Sequence, residues 1–197
     1  MCGIAGYLLT KNAERPETLL RMLDTISHRG PDGRGAIFAA TGASLEMPSE
    51  LKLSSEANEQ FFSYSPSASS FNAAMGQCRY AVVDLNARAL QPFKLDKLSL
   101  SFNGEIYNFI ELREELSALG HSFITESDTE VFLLAYKQWG LDCFSKLRGP
   151  YAGAIIDGDL KKTILFRDRI GKSPLYYVRT EEGIWWASEI KALLEVH

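Results

Sequence analysis

The chain has 197 residues, 46% hydrophobic and 23% charged, with a formal net charge of −4. That size and balance fit one globular domain rather than two. The acidic balance lacks the basic excess of a nucleic-acid binder, and no run approaches the roughly 18 apolar residues of a membrane span.

The N-terminus, Met1-Cys2-Gly3-Ile4-Ala5-Gly6, has no basic region followed by a long apolar core, so it does not read as a secretory signal. Gly3 to Thr10 is a short apolar run, expected as a strand. Leu19, Met22, Leu23 and Ile26 recur at helical spacing over 16–28, with Pro16 suited to the first turn. His28 to Gly35 is rich in Gly and Pro and is read as a loop. Residues 41–74 are rich in Ser, Ala and Glu, contain Pro48 and Pro66 and lack periodicity. They are read as a surface insertion, part strand and part mobile, whose Phe61, Phe62, Tyr64 and Phe71 can pack on the domain or a partner.

Gly76 to Leu85 and Leu98 to Asn103 are expected as buried strands. Asn108 and Glu111 have capping-box spacing before a helix carrying Phe109, Leu112, Leu116 and Leu119 and ended by Gly120. A second helix spans 129–139 and closes at Gly140. Beyond Gly149, strands at 151–157 and 163–167 flank a turn near Gly158. Strands at 175–179 and 184–188 flank another at Gly183, and 189–196 form a terminal helix. Strands at both ends with helices between favour α+β with antiparallel sheets over a βαβ pattern.

Three cysteines, Cys2, Cys78 and Cys143, are too few and too far apart for a disulfide framework or a metal-ligand pattern, so a reducing, cytoplasmic setting is expected and no metal is assigned. Cys78 and Cys143 read as packing residues, and His28, His121 and His197 as structural or surface groups. Cys2 has two readings. It is a small buried residue of the first strand, or, once Met1 is removed, a nucleophile. A free α-amine has a pKa of about 8, so it can take the thiol proton of its own residue and serve as general base.

Asn103-Gly104-Glu105 ends a strand. The Asn103 side-chain amide and the Gly104 N–H can act as two donors to a developing oxyanion, or the pair can be an ordinary Asn-Gly turn. Arg79 breaks an otherwise apolar run, and its guanidinium suits a carboxylate. Asp128, at a helix start, suits an ammonium group or the helix terminus itself. Together, Arg79 and Asp128 can hold the two charged ends of a free α-amino acid.

The full motif set resembles class II glutamine amidotransferases, which are N-terminal-nucleophile hydrolases, and within them the asparagine synthetase type. The resemblance rests on residues 1–6, His28-Arg29-Gly30-Pro31-Asp32, Arg79-Tyr80-Ala81-Val82-Val83-Asp84-Leu85 and Phe102-Asn103-Gly104-Glu105-Ile106-Tyr107-Asn108. It continues in Ser127-Asp128-Thr129-Glu130, residues 167–177 and residues 187–193, and it covers most of the chain outside 41–74. It implies a four-layer αββα sandwich of two antiparallel sheets. It also implies that Cys2 attacks the side-chain amide of L-glutamine, with Asn103 and Gly104 as the oxyanion hole. Arg79 would hold the α-carboxylate, Glu105 and Asp128 the α-amino group, and main-chain groups near Val82 and Val83 would line the pocket. Phosphoribosylpyrophosphate and hexosamine-phosphate amidotransferases carry a Trp-containing segment after the arginine and a His before the Asn-Gly pair. Here Tyr80-Ala81-Val82 and Phe102 stand in those places.

Two departures stand out. Gln77 occupies a place usually basic or histidine in the family, and the 41–74 segment is long. The chain also has no Ser-Gly-Gly loop of an ATP-pyrophosphatase, so no cofactor is expected within this domain. ATP and magnesium belong to a synthetase domain or subunit that would receive the ammonia. The expectation is an excised domain of a larger synthetase, or a free-standing glutaminase subunit serving this or another amide-forming acceptor, with a homodimer allowed. The rival is a non-catalytic module that senses glutamine or docks.

Overall fold

A computed structural model describes residues 1–9, 15–39, 52–53, 62–63, 72–84 and 87–196. The chain opens on β1 (Gly3–Leu9), then α1 (Pro16–Thr25), a 3-10 turn at Ser27–Arg29, β2 (Gly33–Ala39), β3 (Lys52–Leu53), β4 (Phe62–Ser63) and β5 (Ala73–Arg79). It continues through β6 (Phe93–Leu95), β7 (Leu98–Gly104), α2 (Phe109–Ala118), α3 (Asp128–Trp139) and α4 (Cys143–Lys146). The last elements are β8 (Tyr151–Asp157), β9 (Lys162–Arg167), β10 (Tyr176–Thr180), β11 (Gly183–Ala187) and α5 (Ile190–Leu193).

Two antiparallel sheets carry the fold. One runs β10-β11-β1-β5-β2 and the other β6-β7-β8-β9; β3 and β4 form a separate two-residue pair. Strand alternation sorts side chains into three apolar layers. Ala5, Tyr7 and Leu9 of β1 join Leu19, Met22 and Leu23 of α1. Ile37, Ala39, Ala73, Met75 and Trp186 of the first sheet meet Ala154 and Ile156 of the second. Leu98, Leu100 and Phe102 of β7 pack on Val131, Phe132 and Ala135 of α3. The order is helix, sheet, sheet, helix, the αββα sandwich expected.

Alternation also decides where polar residues collect. On β5, Gln77 and Arg79 share the inter-sheet face with Ala73 and Met75. On β7, Ser99, Ser101 and Asn103 share that face opposite them. Cys78 takes the other face, buried against α1, as expected, and Cys143 is buried beside α3.

Several details differ from expectation. Residues 33–35, read as loop, begin β2, because Gly33 to Gly35 pair with Arg79 to Gln77. The strand expected to reach Leu85 ends at Arg79, and residues 80–84 leave the sheet. Leu85 itself lies outside the described residues. Asn108 does not cap α2 with its side chain. Instead its Oδ1 accepts from Arg148 N at 2.9 Å and its Nδ2 donates to the Lys146 carbonyl at 3.0 Å, tying the start of α2 to the loop before β8. Ser127, by contrast, caps α3 through its hydroxyl, which accepts from Thr129 N. Of the aromatic residues noted in 41–74, only the backbone of Phe62 is described; Phe61, Tyr64 and Phe71 lie outside the described residues, as does His197.

Candidate active site

One end of the inter-sheet layer is polar. Register places it there: Gly3 faces Cys78 across β1 and β5, so Cys2 and Arg79 are the next residues on each strand. On the second sheet, Asn103 faces Ala152 and Gly104 faces Tyr151. A cavity of about 70 Å3 opens here, lined by Cys2, Arg79, residues 80–83, Gln91, Phe102, Gly104, Glu105 and Asp128. The sequence-expected site residues thus converge, except that Asn103, buried between Phe102 and Gly104 on β7, does not itself line the cavity. A larger surface cavity of about 220 Å3, lined by Lys97, Tyr136, Lys137 and Asp157 among others, holds no thiol and lies between ion-paired surface groups.

Three thiols compete for the role of nucleophile, and burial separates them. Burial pushes the Cys78 thiol up to about 11 and the Cys143 thiol up to about 12. Neither is a thiolate at neutral pH, and the thiolate is the attacking form. Cys2 is only partly buried and faces the cavity. Its Sγ accepts from Tyr80 N at 3.3 Å and sits 3.5 Å from the Tyr80 carbonyl. Met1 is 71% exposed, so the peptide bond preceding Cys2 is open to a processing enzyme.

Asn103 is 2% exposed, and its Nδ2 is buried with no acceptor among the described residues. A buried donor without a partner costs about 1–3 kcal/mol. An acceptor formed only during a reaction would remove that cost. Gly104 follows, and glycine is required there: a Cβ would lie 2.2 Å from the Pro150 carbonyl and 2.6 Å from Tyr151 Cα.

Arg79 is buried, and its Nη2 donates to the Asp84 carbonyl. Asp84 has a φ of 55°, which turns residues 80–84 back across the strand end. Its Oδ2 accepts from Glu126 N at 3.0 Å, and Asp32 Oδ2 accepts from Ala81 N at 2.9 Å. Val82 is 66% exposed and Val83 half-buried, so their contribution to the cavity rim is a fixed backbone rather than an apolar plug. Glu105 is exposed at the rim.

Asp128 is 6% exposed. Burial raises its carboxyl above the ordinary range and the nearby Glu105 charge adds to this, against hydrogen bonds that lower it, foremost the one from Ile106 N at 3.0 Å. A buried carboxylate held this way gains most from an added cation.

Sequence reasoning missed the scaffold behind Cys2. Arg29 Nε donates to the Cys2 carbonyl at 3.0 Å, and Arg29 Nη1 pairs with Glu189 at 3.0 Å. Glu189 also binds His28 and Lys191. Ser188 Oγ accepts from Ile4 N at 3.0 Å and Ser188 N donates to the Ile4 carbonyl at 2.8 Å, holding the first strand in register. The Glu189 contacts to Arg29 and His28 and the Ser188–Ile4 pair join residues 160 or more positions apart, so nothing local in the sequence signalled them.

A family model described as a glutamine amidotransferase domain matches residues 1–47 and 64–197. The chain belongs to the glutamine amidotransferase domain family. The unmatched residues, 48–63, lie inside the segment read as an insertion. The amidotransferase domain is 35% identical over 202 residues to asparagine synthetase (glutamine-hydrolyzing) 3 of Bacillus subtilis, covering 98% of this chain and 27% of that protein. It is 30% identical over 210 residues to a putative asparagine synthetase (glutamine-hydrolyzing) of Mycobacterium tuberculosis H37Rv, covering 100% and 28%. It thus spans little more than a quarter of the length of these relatives. Among solved structures, the B. subtilis glutamine phosphoribosylpyrophosphate amidotransferase in complex with ADP and GMP superposes with a TM-score of 0.75. That match is at 25% identity and covers 99% of this chain and 43% of that one.

Proposed function

We propose that this amidotransferase domain hydrolyses L-glutamine to L-glutamate and ammonia through a thioester on Cys2, after Met1 is removed. The observation that carries this reading is the convergence of a half-exposed thiol, an arginine, a buried carboxylate and a glycine-bearing strand end on one small cavity. The Cys2 α-amine takes the thiol proton. Sγ attacks the side-chain carbonyl carbon of glutamine, and the resulting oxyanion takes hydrogen bonds from Asn103 Nδ2 and Gly104 N–H. The C–N bond then breaks, and the ammonium of Cys2 returns its proton to the departing nitrogen. Water adds to the thioester by the same route, releasing glutamate and restoring the thiol.

In this reading Arg79 pairs with the α-carboxylate, Asp128 and Glu105 with the α-ammonium, and the backbone at Val82 and Val83 bounds the pocket. The paired charges make a free α-amino acid, rather than a peptide, the substrate that fits. The ammonia passes to an ATP-using, amide-forming synthetase domain or subunit, a reading supported by the names of the relatives and by the share of them this chain spans. No helix among the described residues is long and apolar enough to cross a membrane. A cytoplasmic setting for the domain is supported by three cysteines that are all free thiols.

The test is glutamate release by processed protein. Cys2→Ala is expected to abolish it, and a Cys2→Ala variant with full activity overturns the assignment. Calorimetry showing glutamine bound but never hydrolysed by processed protein would instead favour a sensing module.

A further inference from the structure

Two buried glutamines hold the residue that precedes Asn103. On one edge β7 pairs with β8 from Leu98 to Gly104, but on the other edge it pairs with β6 only from Leu98 to Leu100. Beyond Leu100 no strand among the described residues pairs with that edge, and buried backbone groups require partners. At Phe102 two side-chain amides take the place of the missing strand. Gln91 Oε1 accepts the Phe102 N–H at 2.8 Å, and Gln77 Nε2 donates to the Phe102 carbonyl at 3.3 Å.

Each glutamine is itself anchored at its other end. Gln77 Oε1 accepts from Ser101 Oγ at 3.1 Å, and Gln91 Nε2 donates to Thr129 Oγ1 at 3.0 Å. Gln77 is fully buried and Gln91 8% exposed. The Phe102 ring is fixed from the opposite side, 5.4 Å from Phe132 in an edge-to-face contact. Three sequence neighbours define what this clamp joins. Gln77 lies two residues before Arg79, Phe102 one before Asn103, and Thr129 one after Asp128. One hydrogen-bonded framework therefore connects the three strand and helix ends that line the cavity.

We propose that Gln77 and Gln91 are positioning residues that set the height of the Asn103–Gly104 donors against the nucleophile. This rests on the hydrolysis reading above. An oxyanion donor acts on charge that exists only in the transition state, so loosening it lowers kcat and spares ground-state binding. A merely structural role would lower the amount of folded protein without separating kcat from KM. Gln77 meets the site only through Phe102; Gln91 touches the cavity wall, but both ends of its amide are occupied by Phe102 and Thr129, so it acts through them.

The experiment compares steady-state glutamine hydrolysis by processed protein and its Gln77→Met, Gln91→Met and Thr129→Val variants. Gln91→Met and Gln77→Met are expected to lower kcat about tenfold or more while KM changes less than about threefold. Thr129→Val, which removes only the anchor of Gln91, is a milder variant that retains the fold and is expected to lower kcat several-fold. Unchanged kcat in Gln91→Met, or a rise in KM as large as the fall in kcat, overturns the proposal. If unmutated processed protein does not hydrolyse glutamine, the hydrolysis reading has failed. The clamp is then read by residue-resolved amide exchange: the Phe102 amide should exchange about tenfold faster in Gln91→Met, and an unchanged rate overturns it.

Discussion

Glu189→Gln removes one charge while keeping the size of the side chain and one acceptor oxygen. Burial pushes the Glu189 carboxyl up, but hydrogen bonds from Arg29, Lys191 and His28 outweigh it and hold the group at about 2 against an ordinary 4.5. At roughly 1.4 kcal/mol per pH unit, that displacement corresponds to at most about 3 kcal/mol of folding free energy. The Glu189 side chain is 24% exposed, so solvent screening leaves about 1–2 kcal/mol. The sign follows from the lowered value: this stability is fully present above about 4.5 and is lost as pH falls towards about 2. The variant also strands a cation, because the Arg29 side chain is only 11% exposed and its Nη2 already has no acceptor among the described residues. Urea unfolding of both proteins at pH 7 and pH 3 is the assay. The variant should be less stable at pH 7, with a gap that narrows markedly at pH 3. An equal gap at both pH values would show that Glu189 acts by packing rather than by charge. Since Arg29 Nε holds the Cys2 carbonyl, glutamine turnover at pH 7 should fall in the same variant.

Other outcomes follow from the same geometry. Asp128→Asn should raise the KM for glutamine about a hundredfold, as expected for loss of a buried charge partner, while raising the melting temperature. The carboxyl has a raised folded pKa, so its ionised form weakens the fold above that value. For the same reason KM in the unmutated protein should fall as pH rises through the Asp128 pKa, read from a pH series of kcat/KM. Asn103→Ala should lower kcat by about 100- to 1000-fold with little change in KM, checked by steady-state kinetics. Brief alkylation of native protein at neutral pH should label Cys2 and spare Cys78 and Cys143, as peptide mapping would show.

Much of the fold was legible because alternation and helical spacing are local. Gly3 to Leu9, Leu98 to Gly104 and the two C-terminal hairpins declare themselves within a few residues. The site residues were legible through their motifs, and strand register explains why those motifs meet. The whole of β2 was missed: Gly33-Arg34-Gly35 looks like a turn, and residues 36–39 were given no element. Gly35 is there because a Cβ would lie 2.1 Å from the Gln91 carbonyl, a neighbour 56 positions away. Asn108 was misread for a similar reason. Its spacing to Glu111 matched a local cap, yet its side chain is used 38 and 40 residues downstream. The Gln77–Gln91 clamp and the Glu189–Arg29 link have no local signature, since each joins distant segments through side-chain polarity alone.

If glutamine is opened on the sulfur of Cys2, the domain carries a transient γ-glutamyl thioester there. Processed protein quenched in acid during turnover, digested and mapped by mass spectrometry, tests it directly. One γ-glutamyl group is expected on the N-terminal peptide, absent in Cys2→Ala and absent when Met1 is retained. Glutamate formation with that peptide never modified, or with a glutamyl group found on Cys78 or Cys143, would contradict it.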